Sequence, residues 1–245
     1  MALNSKSESR LESFLENPPK ALWSLAIPIM FGMGIHTLYN MVDMIFIGRL
    51  GGDAIAGVAF NMPLFFLMLG LTMGLGSGVT ASIARYIGNN NKVNADNSAE
   101  HALAMAGAIA IVFTIAGLVL GKDLLAKLGA EGIILELAWD YLYVIVVGLP
   151  FMVFSGFFRS ILAGEGDMKL PMLVAGFGTI LNIILDPIFI FELENYGGIG
   201  FGLGIKGAAL ATVVCQGIVF LIFVYMLFVK KHAYITFNLK DFAPS

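Results

Sequence analysis

Two carboxylates lie inside stretches of this sequence that are otherwise apolar. Asp43 is the only formally charged residue between Lys20 and Arg49, and it lies six residues before Arg49. Asp186 likewise lies six residues before Glu192, the next charged residue. At 1.5 Å per residue, each carboxylate is roughly 9 Å from the charged end of its helix. Since a central aspartate costs about 2.5–3.5 kcal/mol in a membrane helix, two at equal depth indicate a function.

Polar groups accompany both carboxylates at helical spacing. Tyr39 and Asn182 each precede an aspartate by four residues and share its helix face, and His36 lies near Tyr39 on the same stripe. Pro187 has no N–H, so the carbonyl of Ile183 is left without its helical donor. A carboxylate, an amide and such a carbonyl can together hold a proton, a sodium ion or an ammonium group.

Protonation of the two aspartates is the chemistry that this pattern favours. Burial disfavours the charged form of a carboxylate, and a second carboxylate nearby disfavours it further. We therefore expect the pair to hold at least one proton near physiological pH, where protonation can be coupled to work. The alternative is that each aspartate only bonds a neighbouring helix and stabilises the bundle. For His36, helix packing is favoured over a transport role.

Membrane helices must position these residues. Only 13% of the 245 residues are charged, the apolar fraction is 58% and the mean hydropathy is +0.88, whereas soluble domains carry about 25% charged residues. A helix needs roughly 20 apolar residues to cross the hydrocarbon core. We predict an all-α integral membrane protein, a bundle of six transmembrane helices over residues 22–48, 54–84, 102–121, 141–163, 170–191 and 207–229.

The distribution of basic residues predicts the orientation of the bundle. Ten Lys and Arg residues lie on the side of the two termini and four on the opposite side. The positive-inside rule then predicts that both termini are cytoplasmic, in a multi-pass protein of the cell membrane. The net charge of −3 and the lack of a basic stripe argue against nucleic acid as a partner. The single cysteine, Cys215, excludes an internal disulfide.

Several tracts resemble one family of transporters in the order of its helices. The tracts PIMFGMGIHTLYNMVDMIFIGRLG, IAGVAFNMPLFFLMLGLTMGLGSG and ARYIGN resemble the first two helices of multidrug and toxic compound extrusion (MATE) transporters. FFRSILAGEGDMKLPM and LNIILDPIFIF resemble the fourth and fifth helices, and GIKGAALATVV the start of the sixth. The resemblance extends from Leu22 to Lys240 and is strongest to the archaeal and DinF-like branch.

The resemblance implies a cation site in this lobe and no cofactor. The coupling ion would be H⁺ or Na⁺, and sequence does not separate the two. The residues that match the family's site are Asp43, Asn182 and Asp186, which would also hold Na⁺, with Tyr39 and Thr212 beside them.

The resemblance also implies a conformational change. Occupancy of the site would bend the first helix at its proline, here Pro28, and displace the drug. Side chains that could line the substrate path are His36, Asn40, Asn61 and Phe154.

Family members have about twice this length, as two six-helix lobes. We therefore interpret residues 1–20 as a cytoplasmic segment, 21–232 as one transmembrane lobe and 233–245 as the start of an inter-lobe linker. The expected partner is a second lobe, either a missing C-terminal half or a second copy in a parallel homodimer.

The function expected from these features is a secondary antiporter that exports organic cations or amphipathic drugs. One alternative is a flippase for lipid-linked oligosaccharides, which needs a basic cavity, and the spans offer only Arg159 near one end. Another is a half that transports nothing without a partner chain. An intramembrane aspartyl protease is disfavoured, because Asp186 occurs in ILDP and not in a Gly-x-Gly-Asp motif.

Overall fold

The protein is a bundle of long helices. The computed structural model describes residues 18–192, 200–230 and 232–237. Six of its helices are long and apolar enough to cross a membrane, which confirms the predicted six-helix, all-α class; the orientation of the termini stays a prediction. The helices are α1 (Pro18–Gly48), α2 (Gly52–Gly88), α3 (Lys92–Lys127), α4 (Gly132–Gly164), α5 (Lys169–Ile190) and α6 (Gly204–Val224), which a π-helical turn (Tyr225–Val229) continues.

The fourth helix is the centre of the bundle. It packs against α2, α3 and α6, whereas α1 packs chiefly against α5 and makes few contacts with α2 and α6. More than half of the most apolar window of α4 is buried, a larger share than in any other described span. Among the described contacts, the helix that carries Asp43 therefore has the least packing against the rest of the lobe.

Small residues allow the helices to approach closely. A Cβ atom on Gly57 of α2 would lie 3.2 Å from the backbone nitrogen of Ala138 in α4. A Cβ atom on Gly207 of α6 would meet the carbonyl group of Phe189 in α5. Such contacts matter in lipid, where helix association depends on van der Waals packing.

Two helices extend well beyond the predicted spans. The third begins at residue 92 and not at 102, and the fourth begins at 132 and not at 141. The side chain of Asn91 caps α3 by accepting a hydrogen bond from the N–H of Asn94 at 3.1 Å. Gly166 has φ 75° in the turn between α4 and α5, a conformation that glycine adopts without strain.

The chain that follows the π-helical turn returns to the ends of α3 and α4, on the face expected to be cytoplasmic. The carboxylate of Glu165 accepts hydrogen bonds from the N–H groups of Tyr234 at 3.0 Å and Ile235 at 2.8 Å. His232 Nε2 lies 2.9 Å from Asp167 Oδ2. The Ile235 side chain is buried against the bundle. The extended segment is therefore held by its backbone as well as its side chains.

A third carboxylate, on α3, holds the same segment. Asp96 accepts hydrogen bonds from the N–H and the hydroxyl of Thr236 at 3.0 and 2.7 Å. Lys92 forms an ion pair with Asp96 at 2.8 Å and lies 5.0 Å from the ring centroid of Tyr234. We call the contacts of Asp96, Glu165 and Asp167 with residues 232–237 the inner clasp. The predicted linker, 233–245, begins inside it; residues 238–245 lie outside the described part of the chain, and the domain boundaries stay predictions.

Candidate functional site

The packing of α1 against α5 brings the two membrane aspartates together. Asp186 is 0% exposed and Asp43 is 7% exposed, and the charge of Asp43 acts on Asp186. Two charged carboxylates in an apolar bundle would repel each other and lose their hydration. The pair therefore requires a compensating proton or cation.

The Asn182 amide on α5 lies beside the carboxylates, and buried oxygen atoms of all three side chains accept no hydrogen bond from the described residues. Asn182 Nδ2 donates to Asp186 Oδ1 at 3.0 Å. Asp43 Oδ1, Asp186 Oδ2 and Asn182 Oδ1 are buried and have no hydrogen-bond partner among the described residues. Buried polar atoms are nearly always satisfied, and carboxylate and amide oxygens suit hard cations. The two carboxylate oxygens can accept a proton, and all three oxygens can coordinate Na⁺.

The sixth helix brings a thiol to the same group, and the part of Thr212 in the cation site stays a prediction. Cys215 is 3% exposed, and its thiol interacts with the Asn182 side chain and the Asp186 charge. Thr212 is 4% exposed and lies three residues earlier on α6. Cys215 was not among the residues predicted for the site. Its spacing from Thr212 puts both on one helix face, and this was the signal that could have found it.

Four further residues predicted to have a role lie on α1. Pro28, His36 and Tyr39 all belong to this helix, and their side chains lie outside the described part of the structure. Asn40 is exposed on α1. The hinge at Pro28, the part of Tyr39 in the cation site and the substrate-lining roles of His36 and Asn40 stay predictions.

Two other predicted substrate-lining residues contribute to packing within the bundle. Asn61 is fully buried, and its Nδ2 donates to the carbonyls of Gly57 at 2.9 Å and Ala138 at 3.1 Å, which joins α2 to α4. Phe154 packs against the Phe220 ring of α6, with 6.0 Å between the ring centroids. Contact of either residue with a substrate stays a prediction.

The fold and the site define the class as a helical membrane protein with six candidate spans and a buried acidic group between two of its helices. The MatE family model matches residues 28–188, from α1 to α5. The chain belongs to the MatE family. It is a multi-pass membrane protein of a transporter family and not an enzyme, so the intramembrane protease alternative is discarded.

Relatives and solved structures agree with this assignment. The chain is 30% identical over 207 residues to "Probable multidrug resistance protein YoeA" of Bacillus subtilis, covering 84% of this chain and 44% of that protein. It is 28% identical over 211 residues to the "FAD transporter" of Shewanella oneidensis, covering 86% and 46%. A crystal structure of MATE in the straight conformation superimposes with a TM-score of 0.86 at 39% identity, covering 93% of this chain and 49% of that one. The chain spans about half the length of these proteins.

Proposed function

We propose that this chain forms one lobe of a secondary active efflux antiporter, which exports organic cations or amphipathic drugs in exchange for H⁺ or Na⁺. The observation that carries the proposal is the set of three unpaired, buried oxygen atoms on Asp43, Asn182 and Asp186. The name of the Bacillus relative, a multidrug resistance protein, supports drugs as the substrates.

The contacts of α1 explain how cation occupancy could move a helix. Without a bound cation, the charges of Asp43 and Asp186 repel each other across the interface between α1 and α5. A proton or Na⁺ between them removes that repulsion and holds the two helices together. Because α1 makes few contacts with α2 and α6, it can respond without disrupting the rest of the lobe, and Pro28 is where we expect it to bend.

The substrate need not carry only positive charge. The Shewanella relative is named as a transporter of FAD, a molecule with two phosphate groups. We therefore include amphipathic molecules with anionic groups among the candidate substrates of this chain.

The experiment that tests the proposal is ethidium flux into or out of liposomes that contain this chain alone, driven by an imposed H⁺ or Na⁺ gradient. Asp186→Asn removes the charge and keeps the size of the side chain. Asp123→Asn is the matched control, because Asp123 is exposed at the end of α3. We expect gradient-driven flux to vanish with Asp186→Asn and to persist with Asp123→Asn.

Two other outcomes would distinguish a missing partner lobe from a wrong site assignment. If folded wild-type chain gives no flux but binds ethidium in a pH- or Na⁺-dependent way that Asp186→Asn abolishes, the site is correct and the lobe needs a partner lobe. If Asp43→Asn and Asp186→Asn both leave that dependence unchanged, the cation site is wrong.

A further inference from the structure

Two close contacts show how the residues of α5 and α6 face each other. A Cβ atom on Gly178 of α5 would lie 2.8 Å from Val219 Cγ2 of α6, and a Cβ atom on Gly207 of α6 would lie 2.9 Å from the nitrogen of Ile190 of α5. Gly178 and Ile190 are twelve residues apart, and so are Gly207 and Val219. The two helices are therefore antiparallel and stay in register between the two contacts.

This register brings Cys215 opposite Asn182. Asn182 lies one turn after Gly178 on α5, and Cys215 lies one turn before Val219 on α6, so each is on the contact face of its helix. The Cys215 thiol interacts with the Asn182 side chain and with the charge of Asp186, as the register requires. The thiol is buried and free. A free thiol therefore adjoins the acidic site.

Buried oxygen atoms beside the thiol can act as further ligands. Asn182 Oδ1 and Asp186 Oδ2 have no hydrogen-bond partner among the described residues, and the two residues are 1% and 0% exposed. Buried polar atoms are rarely left in this state. Because a carboxylate is charged, Asp186 Oδ2 is the stronger of the two ligands for a cation. Sulfur and oxygen ligands thus share one buried space.

This ligand set favours soft monovalent metal ions. Thiolate sulfur selects soft ions such as Cu⁺, and Ag⁺ belongs to the same group of elements. Over residues 18–192, 200–230 and 232–237, no group of three His, Cys, Asp or Glu side chains could hold a metal ion, which disfavours Zn²⁺ with its four ligands. Cu⁺ and Ag⁺ are stable with two ligands, and one thiolate with one oxygen provides them.

We propose that Cys215 Sγ and Asp186 Oδ2 form a site for a soft monovalent metal ion, with Ag⁺ as the probe. The S–Ag bond forms as the S–H bond breaks, the thiol proton is released to water, and no oxidant or reductant is needed. An ion held there fills the space beside the acidic oxygens, so we expect it to block the coupling cation. Only this blocking rests on the proposed function, since coordination of the metal does not require transport.

The first measurement is the affinity of the chain for Ag⁺ in lipid nanodiscs. Equilibrium dialysis against glutathione, a competing thiol, is run in nitrate salts at constant pH, because chloride precipitates silver. The chain has a single cysteine, so Cys215→Ala removes its only thiol, while its 13 methionines remain and report binding to thioethers. We expect one tightly held ion per wild-type chain and none in Cys215→Ala.

Two variants test whether the acidic site takes part. Asp186→Asn removes the charged oxygen and should weaken Ag⁺ binding about tenfold or more, as changes around a metal ion commonly do. The double variant Cys215→Ala with Val219→Cys moves the only thiol one turn, about 5.4 Å, along α6, and should bind Ag⁺ as weakly. Asp123→Asn, at an exposed position near the end of α3, is the matched control and should bind as the wild type does.

A second readout connects the metal to the coupling cation. The ethidium Kd is measured at high and low Na⁺ and at two pH values, with and without one equivalent of Ag⁺. We expect Ag⁺ to remove the ion dependence of the Kd in the wild type and to leave it in Cys215→Ala, where the metal has no thiol to bind.

Three results would overturn the proposal. They are the lack of a tightly held ion in the wild type, equal Ag⁺ retention by the wild type and Cys215→Ala, and equal affinity of the wild type and Asp186→Asn. The first of them does not depend on whether any variant folds. Failure of the antiporter proposal would look different, because ethidium binding would then have no ion dependence for Ag⁺ to remove, while Ag⁺ would still bind to the wild type and more weakly to Asp186→Asn.

Discussion

At the scale of single residues, the acidic site depends on one amide. Asn182 holds one oxygen of Asp186 by a 3.0 Å hydrogen bond and leaves the second oxygen for a ligand. Asn182→Leu keeps a similar volume but removes both the donor and a cation ligand. A hydrogen bond to a charged group contributes about 1.5–3 kcal/mol. The measured quantity is the ethidium Kd at high Na⁺ or low pH, divided by the Kd at low Na⁺ or high pH. We expect this ratio to fall about tenfold in Asn182→Leu.

Cys215→Ala is the comparison for this prediction. The thiol touches the same amide, but it is a weak hydrogen-bonding group, so its loss should change the Kd ratio little. An unchanged ratio in Asn182→Leu, or an equal loss in Cys215→Ala, would contradict the role given to the amide.

At the scale of helices, the approach of α6 to α5 leaves no room for a side chain. A Cβ atom on Gly207 would lie 2.5 Å from the carbonyl carbon of Phe189 and 2.9 Å from the nitrogen of Ile190. Because backbone cannot turn away as a flexible side chain does, Gly207→Ala should destabilise the lobe by about 1–3 kcal/mol. Thermal unfolding in detergent micelles measures this effect.

The same helix provides the control. A Cβ atom on Gly217 would lie 3.8 Å from the ring of Phe151, an ordinary contact, so Gly217→Ala should be neutral or slightly stabilising. Equal unfolding temperatures for the two alanine variants would show that α5 and α6 lie farther apart at Gly207 than they do in the structure.

The inner clasp gives a second prediction for connected elements. The single carboxylate of Glu165 accepts hydrogen bonds from two backbone amides, those of Tyr234 and Ile235. In Glu165→Ala these amides lose their acceptor, and we expect their hydrogen exchange to become at least tenfold faster. Glu131→Ala, at the exposed start of α4, should leave the exchange unchanged. Protection that survives in Glu165→Ala would mean that the burial of Ile235 and the contacts of Asp96 and Asp167 hold the segment without Glu165.

The sequence predicted the positions of the helices more reliably than it predicted which helices contact one another. Counting from the next charged residues put Asp43 and Asp186 at one depth, but only tertiary packing makes α1 and α5 neighbours. Equal depth allowed the two aspartates to form a pair, and the family resemblance implied that they do. Helix ends were missed because hydropathy detects the membrane-buried part of a helix. Residues 92–101 of α3 are polar enough to leave the membrane and still form helix, where Asp96 serves the inner clasp. Cys215 escaped notice because a single thiol in an apolar helix carries no charge, and its helical spacing from Thr212 was the one indication that it lies beside the site.

At the scale of the whole molecule, the chain corresponds to about half of the transporters that it resembles. Two lobes of one orientation can be replaced by two identical chains around a two-fold axis. The expected partner is either a missing C-terminal half or a second copy of the chain, and for the chain reconstituted alone we predict parallel pairs in the bilayer. Chains that carry one dye each should bleach in two steps in single liposomes at low protein density. Single-step bleaching at every protein-to-lipid ratio would contradict pairing.

Pairing also predicts how flux depends on mixed chains. Wild-type chain can be mixed with Asp186→Asn before reconstitution. If a fraction f of the chains is wild type, random pairing gives pairs with two intact sites at a frequency of f². If transport needs both sites, flux should fall with the square of the wild-type fraction; if each lobe acts through its own site, flux should fall linearly. A square dependence requires that the two acidic sites act together. A linear one, combined with two-step bleaching, would mean that the partner lobe provides a wall for the substrate path while the coupling at Asp43 and Asp186 remains within a single lobe.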